Sequence, residues 1–372
     1  MAEAFSLKDH LFNAQTIAQL ADEYACGIAG FDAARFQRDT LAGFGPQGLL
    51  ERLDWIADCV TQQLSADFPT MADQLEAAMP ARLDPDLTDD DFGQFIHAVP
   101  GILAVRHGLE DHRDRALDLI YRATQRFSME FYIRPFLNRW PDQTLDRMAV
   151  WVDDDNYHVR RLVSEGTRPK LPWARAVTLT PDQTLPLLNQ LHGDATRYVT
   201  RSVSNHLNDL SKTVPDQVLG VLADWKKAGL QTQKELEWMT KHALRTLIKQ
   251  GHSGAMATLG YAPDAAMKVD LRILPGPVHI GGALAFSCDV VTETALPLLV
   301  DYRIVFARPN GSRVEKVFKL KQARTAAQTP MTFNKVHKLK GDATTFTLHP
   351  GAHRLVIQIN GVDRAEIGFD LE

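Results

Sequence analysis

The chain is poor in the features that mark several protein classes. Its 372 residues include only three cysteines, Cys26, Cys59 and Cys288. An odd number so widely spaced excludes a disulfide framework and matches no zinc pattern. No run approaches the roughly 20 apolar residues that a membrane helix needs. Met1 to Ala21 also lack the basic-then-apolar order of an export signal, so a cytoplasmic protein without a membrane partner is expected. There is no P-loop, no dinucleotide glycine fingerprint after a strand and no nucleophile elbow. Thirteen histidines show no paired metal-ligand spacing: His107 and His112 stand five apart, off one helix face. Neither metal nor cofactor is expected. A large excess of one charge is missing too, with 41 basic against 46 acidic residues and a formal net charge of −5. What is present is ordinary globular composition, 45% hydrophobic and 23% charged, enough for two or three domains with substantial cores.

The even overall balance hides a steep regional one. Met1 to Thr124 carry 9 basic and 21 acidic residues, Gln125 to Pro263 carry 18 and 14, and Asp264 to Glu372 carry 14 and 11. Only the last two regions are suited to a polyanion-binding face. Arg303 to Lys340 hold ten basic residues and a single acid, Glu315. That run fits either a grip on DNA or a solvated edge strand, since lysines protect sheet edges from aggregation.

Up to about Leu259 apolar residues recur every three to four positions, as in Leu49 to Ile56 and Arg115 to Ile120, the stripe of one buried helix face. From about Met267 the pattern changes to strands, at Val269 to Leu274, Ala285 to Val290, Asp301 to Phe306 and His353 to Ile359. Turn signals at Pro275-Gly276-Pro277, Pro309-Asn310-Gly311, Pro350-Gly351 and Asn360-Gly361 separate them. The reading is an α-helical solenoid followed by a small all-β sandwich, with residues 1–262 and 263–372 as domains and the boundary near Tyr261 to Asp264. A weak repeat places Arg161, Arg201 and Lys241 40 residues apart in turn. That is the period of HEAT-type helix pairs, which line equivalent side chains along one concave surface. Such a row suits a phosphate backbone, and equally a protein-binding scaffold.

Three stretches are dense in mixed aromatic, acidic and basic residues. In Ser128 to Leu137 a helical projection places Glu130 with Arg134 beside Phe127 and Phe131, and Pro135 should kink or divide the helix. A carboxylate among rings needs a compensating cation, for which Arg134 is the candidate; an ordinary intrahelical ion pair is the bland alternative. In His158 to Trp173, Arg161 and Glu165 share a face and Gly166 is suited to close the helix. A proline-framed loop with Arg168 and Lys170 then delivers Trp173, which suits a nucleic-acid surface or a plain core position. In Arg197 to Lys212, Val203, Leu207 and Leu210 form a buried stripe, and Arg201, Asn205, Asn208, Asp209 and Lys212 share the polar face. Lys241, Arg245 and Lys249 continue the cationic row.

Taken together, Glu130-Phe131-Tyr132-Ile133-Arg134-Pro135-Phe136, the motif from His158 to Trp173 and Ser202-Val203-Ser204-Asn205-His206-Leu207-Asn208-Asp209 resemble the bacterial AlkC branch of the HEAT-like-repeat DNA alkylation-repair glycosylases. The likeness covers roughly residues 10 to 261. Met129, Tyr132 and Asp153-Asp154-Asp155 depart mildly from its pattern. Some members carry a C-terminal immunoglobulin-like domain, which the strand pattern after Met267 resembles. A monomer is the default expectation and the nucleoid the expected place, and the resemblance implies a monofunctional glycosylase that acts in base excision repair. It would hydrolyse the N-glycosidic bond of cationic N3-alkylated bases, chiefly 3-methyladenine and also 3-methylcytosine, in double-stranded DNA. It further implies that Glu130, Glu165 and Asp209 stabilise the sugar cation and place water, and that Trp173 contacts the sugar or lesion. Arg161, Arg168, Lys170, Arg201, Asn205, Asn208, Lys212, Lys241, Arg245 and Lys249 would hold DNA, and no protein partner is implied. A HEAT-like scaffold that binds DNA or protein without chemistry is the competing reading.

Overall fold

The computed structural model describes residues 6–87, 89, 91–341 and 346–372. Its helices run in chain order as α1 (Leu7–Leu11), α2 (Ala14–Gly27), α3 (Ala33–Gly43), α4 (Leu49–Thr61), α5 (Phe68–Ala77) and α6 (Val99–Leu103). They continue as α7 (Arg113–Thr124), α8 (Glu130–Arg139), α9 (Pro141–Trp151), α10 (Tyr157–Gly166), α11 (Pro181–Leu191) and α12 (Arg197–Leu210). Then come α13 (Pro215–Ala228), α14 (Gln233–Ala243), α15 (Arg245–Lys249) and α16 (Ser253–Thr258). Two compact units result, residues 1–210 with 225–239 and residues 211–224 with 240–372.

In the first unit α10 is the hub, packed against α7, α8, α9, α11 and α12. Its start is set by Asn156, whose side chain accepts from the His158 amide at 2.9 Å, one of the donors a helix start leaves orphaned. Val159, Leu162 and Val163 are fully buried on it, as are Ile133, Phe136 and Leu137 on α8. Gly166 is the last residue of α10, but its value lies in packing rather than in capping. A Cβ there would stand 2.6 Å from Cγ2 of Ile133, so only glycine lets α10 lie this close to α8. Pro135 does not divide α8, which runs through it to Arg139; burial of Ile133, Phe136 and Leu137 on either side offsets the lost backbone bond.

Among the described residues the second unit contains seven antiparallel strands: β1 (Met267–Ile273), β2 (Ala283–Thr292), β3 (Pro297–Ala307), β4 (Arg313–Arg324), β5 (Met331–Lys338), β6 (Gly351–Ile359) and β7 (Val362–Leu371). One sheet has the order β1-β2-β5 and the other β4-β3-β6-β7. Phe286, Cys288, Val290, Tyr302, Ile304, Leu355 and Ile357 fill the space between them. The result is the immunoglobulin-like sandwich that the strand pattern suggests. Most of the basic run falls on β4 and β5, each an edge strand of its own sheet, with Arg313, Lys319, Lys321 and Lys338 exposed. Arg303 is engaged instead, donating to Asp363 at 2.6 Å and lying 3.3 Å from Glu315.

Candidate active site

Glu130 is the first residue of α8, and its carboxylate points at α10. The cation that meets it is not Arg134, one turn away, but Arg161, whose Nη1 lies 3.3 Å from Glu130 Oε2 and donates to Ser128 Oγ at 2.6 Å. Arg161 Nη2 is also 4.0 Å from Glu165 Oε2, so the two glutamates share one guanidinium. The other face of that guanidinium lies 4.4 Å above the Tyr198 ring of α12, a cation–π contact strengthened by burial. Burial opposes the Arg161 charge, but Glu130 and Glu165 hold it protonated above the ordinary arginine range.

Glu165 is 6% exposed. Burial alone would raise its pKa, but Arg161 and Arg168, with the Ser202 hydroxyl, together hold it below the usual carboxylate range. Arg168 donates to Glu165 Oε1 at 2.5 Å, and Ser202 Oγ donates to Oε2 at 2.6 Å. From its Nε and Nη2, Arg168 also donates to Asp209 Oδ2 at 2.9 and 2.8 Å. Burial works against the Arg168 charge as well, yet Glu165 and Asp209 raise its pKa. An alternating chain results: Glu130, Arg161, Glu165, Arg168, Asp209. Three carboxylates and two guanidinium groups leave one net negative charge, drawn from α8, α10, the loop after α10, and α12. Two buried histidines flank it. Burial, then Arg161, pushes His158 down to about 4, and burial, then Arg168, does the same to His206, so both are neutral imidazoles.

Such a chain cannot supply an acidic proton at neutral pH from Glu165. It can present fixed negative charge, partly desolvated, to a developing cation and accept a hydrogen bond from water. Among the described residues no group of three His, Cys, Asp or Glu is placed to hold a metal ion.

Several expected DNA-binding residues are placed otherwise. Arg161 and Arg168 face carboxylates rather than an open groove. Trp173 is not a core residue: it is 72% exposed with a left-handed backbone, φ 64°. Lys170 and Lys212 are exposed, Arg201 and Asn205 half-buried, and Asn208 buried. Arg201 donates to Asp89, and Phe92, from the same acidic segment, packs edge-on against Tyr198 at 5.5 Å. In the second unit Lys241 and Lys249 are exposed, and Arg245 donates to the His242 carbonyl at 2.6 Å. Ser128, Tyr198 and Ser202 complete the site; all three lie within the stretches picked out in the sequence, but nothing there marks them as site residues. Ser202 and Tyr198 stand one turn apart on α12, and Ser128 two residues before Glu130, positions that only the helix packing brings to Arg161 and Glu165.

Residues 268–372 match the model of the C-terminal immunoglobulin-like domain of the uncharacterised protein YhaZ. The uncharacterised protein YhaZ of Bacillus subtilis strain 168 is 33% identical over 264 residues, 70% of this chain and 72% of that protein. The solved structure of Pseudomonas fluorescens alkylpurine DNA glycosylase AlkC, bound to DNA containing an abasic site analog, is similar over 99% of this chain and 100% of that one. Its TM-score is 0.83 at 29% identity.

Proposed function

This chain belongs to the YhaZ family and has the fold of an AlkC-like alkylpurine DNA glycosylase, and on that premise we propose that it is itself a DNA glycosylase. Its substrates are cationic N3-alkylated bases in duplex DNA, 3-methyladenine first and 3-methylcytosine second, and its chemistry is hydrolysis of the N-glycosidic bond.

The observation that carries this reading is the pair of glutamates on one guanidinium, with Glu165 held ionised in a buried setting. A methylated base that already bears positive charge needs no general acid to leave. As the bond from the sugar C1′ to the base nitrogen breaks, its electron pair neutralises the base and positive charge moves to the sugar. Glu165 and Glu130 then face that cation, as carboxylates do in other glycosidic hydrolyses, while water supplies the oxygen that bonds to C1′. Its proton passes to a carboxylate or to solvent. Asp209 fixes Arg168, and Trp173 meets the sugar or lesion with its ring. Arg161 and Arg168 act through the carboxylates. Contact with the DNA backbone falls to Lys170, Arg201, Asn205, Lys212, Lys241, Arg245 and Lys249, with Arg201 exchanging Asp89 for phosphate, whereas Asn208 is buried and is not assigned to DNA.

The test is release of free 3-methyladenine from duplex DNA treated with a methylating agent, separated chromatographically. Folded protein that binds this DNA and releases no base is a scaffold, not an enzyme. The exposed cations of β4 and β5 are likewise assigned to duplex DNA. Replacing Lys319, Lys321 and Lys338 with glutamine should lower the slope of log affinity against log salt by about 0.9 for each phosphate that is no longer neutralised. An unchanged slope returns these lysines to edge protection.

A further inference from the structure

Helix α8 carries three polar side chains one turn apart, Glu130, Arg134 and Asn138, and only the first belongs to the charged chain. Arg134 is fully buried and makes no ion pair among the described residues. Its guanidinium donates instead to three backbone carbonyls, Gly166 at 3.1 Å, Pro169 at 3.1 Å, and Arg175. Burial pushes its pKa down to about 10, so it is still charged at neutral pH. Glu165, Glu130 and Asp209 favour its charge without pairing with it, yet a buried cation whose hydrogen bonds all go to neutral carbonyls is costly, which calls for a reason beyond filling space.

The reason lies in what those carbonyls bound. Gly166 and Pro169 begin, and Arg175 ends, the loop that carries Arg168, Lys170 and Trp173. One turn further on, Asn138 ties the exit of the same loop, donating to the Ala176 carbonyl at 2.9 Å and accepting from the Thr178 amide at 3.2 Å. The Val177 amide closes the neck onto the Pro169 carbonyl at 3.2 Å. At the tip, Trp173 keeps its left-handed backbone with the indole in solvent. For a residue with a Cβ that conformation is unfavourable, and it persists only where its surroundings over-determine it. We infer that Arg134 is a positioning residue: its planar fork of donors, seconded by Asn138, clamps both ends of the 166–175 loop and so presents Trp173 outward to DNA. Lysine cannot replace it, because a single ammonium lacks the fork that spans three carbonyls.

Only the catalytic half of this inference rests on the glycosylase reading; loop order is measured without activity. The full-length protein labelled with 5-fluorotryptophan has six tryptophans, and Trp173→Phe identifies the Trp173 line in the fluorine NMR spectrum. Arg134→Lys and Asn138→Ala should each shift or broaden that line, Arg134→Lys more, while the lines of Trp55 and Trp225 stay in place. Arg134→Lys should also slow single-turnover release of 3-methyladenine about tenfold or more, yet bind undamaged duplex within twofold of wild type. In a Trp173→Ala background it should cost nothing further. A Trp173 line that keeps its wild-type position and width in both folded variants overturns the inference, as does multiplication of the Arg134 and Trp173 losses. If wild type releases no base, the glycosylase reading fails while the fluorine spectrum still decides the role of Arg134. Should Arg134→Lys move all six lines by unfolding, Asn138→Ala decides, because it leaves no buried charge behind.

Discussion

Glu165→Gln is expected to slow the release of 3-methyladenine by about 10²–10³-fold, the usual scale for removing one preorganised electrostatic contact from a transition state. The substitution preserves the side chain's shape but leaves one acceptor oxygen in place of two, so it keeps the bond from either Arg168 or Ser202, while removing the most buried negative charge of the five-residue cluster. The net charge of the five-residue cluster rises from −1 to zero, so a sugar cation loses its counter-charge. Because that cation exists only on the reaction path, the effect should appear in kcat with KM little changed. Stability should fall by about 1–3 kcal/mol in urea unfolding, less than for a broken buried ion pair. The reason is geometric: Arg161 keeps Glu130 at 3.3 Å and Arg168 keeps Asp209 at 2.8 Å. Glu130→Gln should cost less, since Glu130 is more exposed than Glu165 and meets only Arg161 among the cluster's two guanidinium groups. A variant at Glu165 that is folded and as fast as wild type would remove the carboxylate mechanism.

Acid sensitivity is the second large effect. His158 and His206 are both held neutral, down to about 4, by burial and then by the neighbouring guanidinium groups. In the unfolded chain the same residues take up protons near pH 6.5. Between these values the unfolded state binds more protons than the folded state, so stability rises with pH and is lost as pH falls from 6.5 toward 4. For the two histidines together the loss between pH 8 and pH 5 should be about 2–4 kcal/mol. Glu165 adds to it at lower pH. Its folded pKa is depressed, so its contribution is present above the unfolded glutamate value and disappears as pH falls through the folded one. Urea midpoints measured at pH 8, 6.5 and 5 should therefore drop steeply over the last interval, and replacing either histidine with glutamine should flatten the curve. A stability flat from pH 8 to pH 5 contradicts the neutral, buried state of these rings.

How much of this is legible in the sequence differs residue by residue, for physical reasons. Strands β1, β2, β3 and β6 are visible because apolar residues dominate or alternate in them. Strands β4, β5 and β7 are not, because their outward faces are charged or polar and their inward residues mostly only half buried. Glu165, Arg168 and Asp209 can be named as residue types. The Glu165–Arg168 pairing is even implicit in their i,i+3 spacing, although the same arginine suits a phosphate equally well. The partnership of Glu130 with Arg161 is hidden, since Arg134 offers a nearer cation on the same helix. The choice between them depends on how α8 lies against α10, and that depends on Gly166. Likewise no local pattern separates a tryptophan bound for the core from one held in solvent by a clamp 39 positions upstream.

The central claim, that acidic side chains converge on one cationic sugar, is tested most directly by affinity for duplexes containing an abasic-site analog whose ring nitrogen is protonated, compared with a neutral analog of the same shape. Wild type should prefer the cationic duplex, and Glu130→Gln and Glu165→Gln should each diminish that preference without weakening the neutral complex. Equal affinity of wild type for the two duplexes would contradict the account.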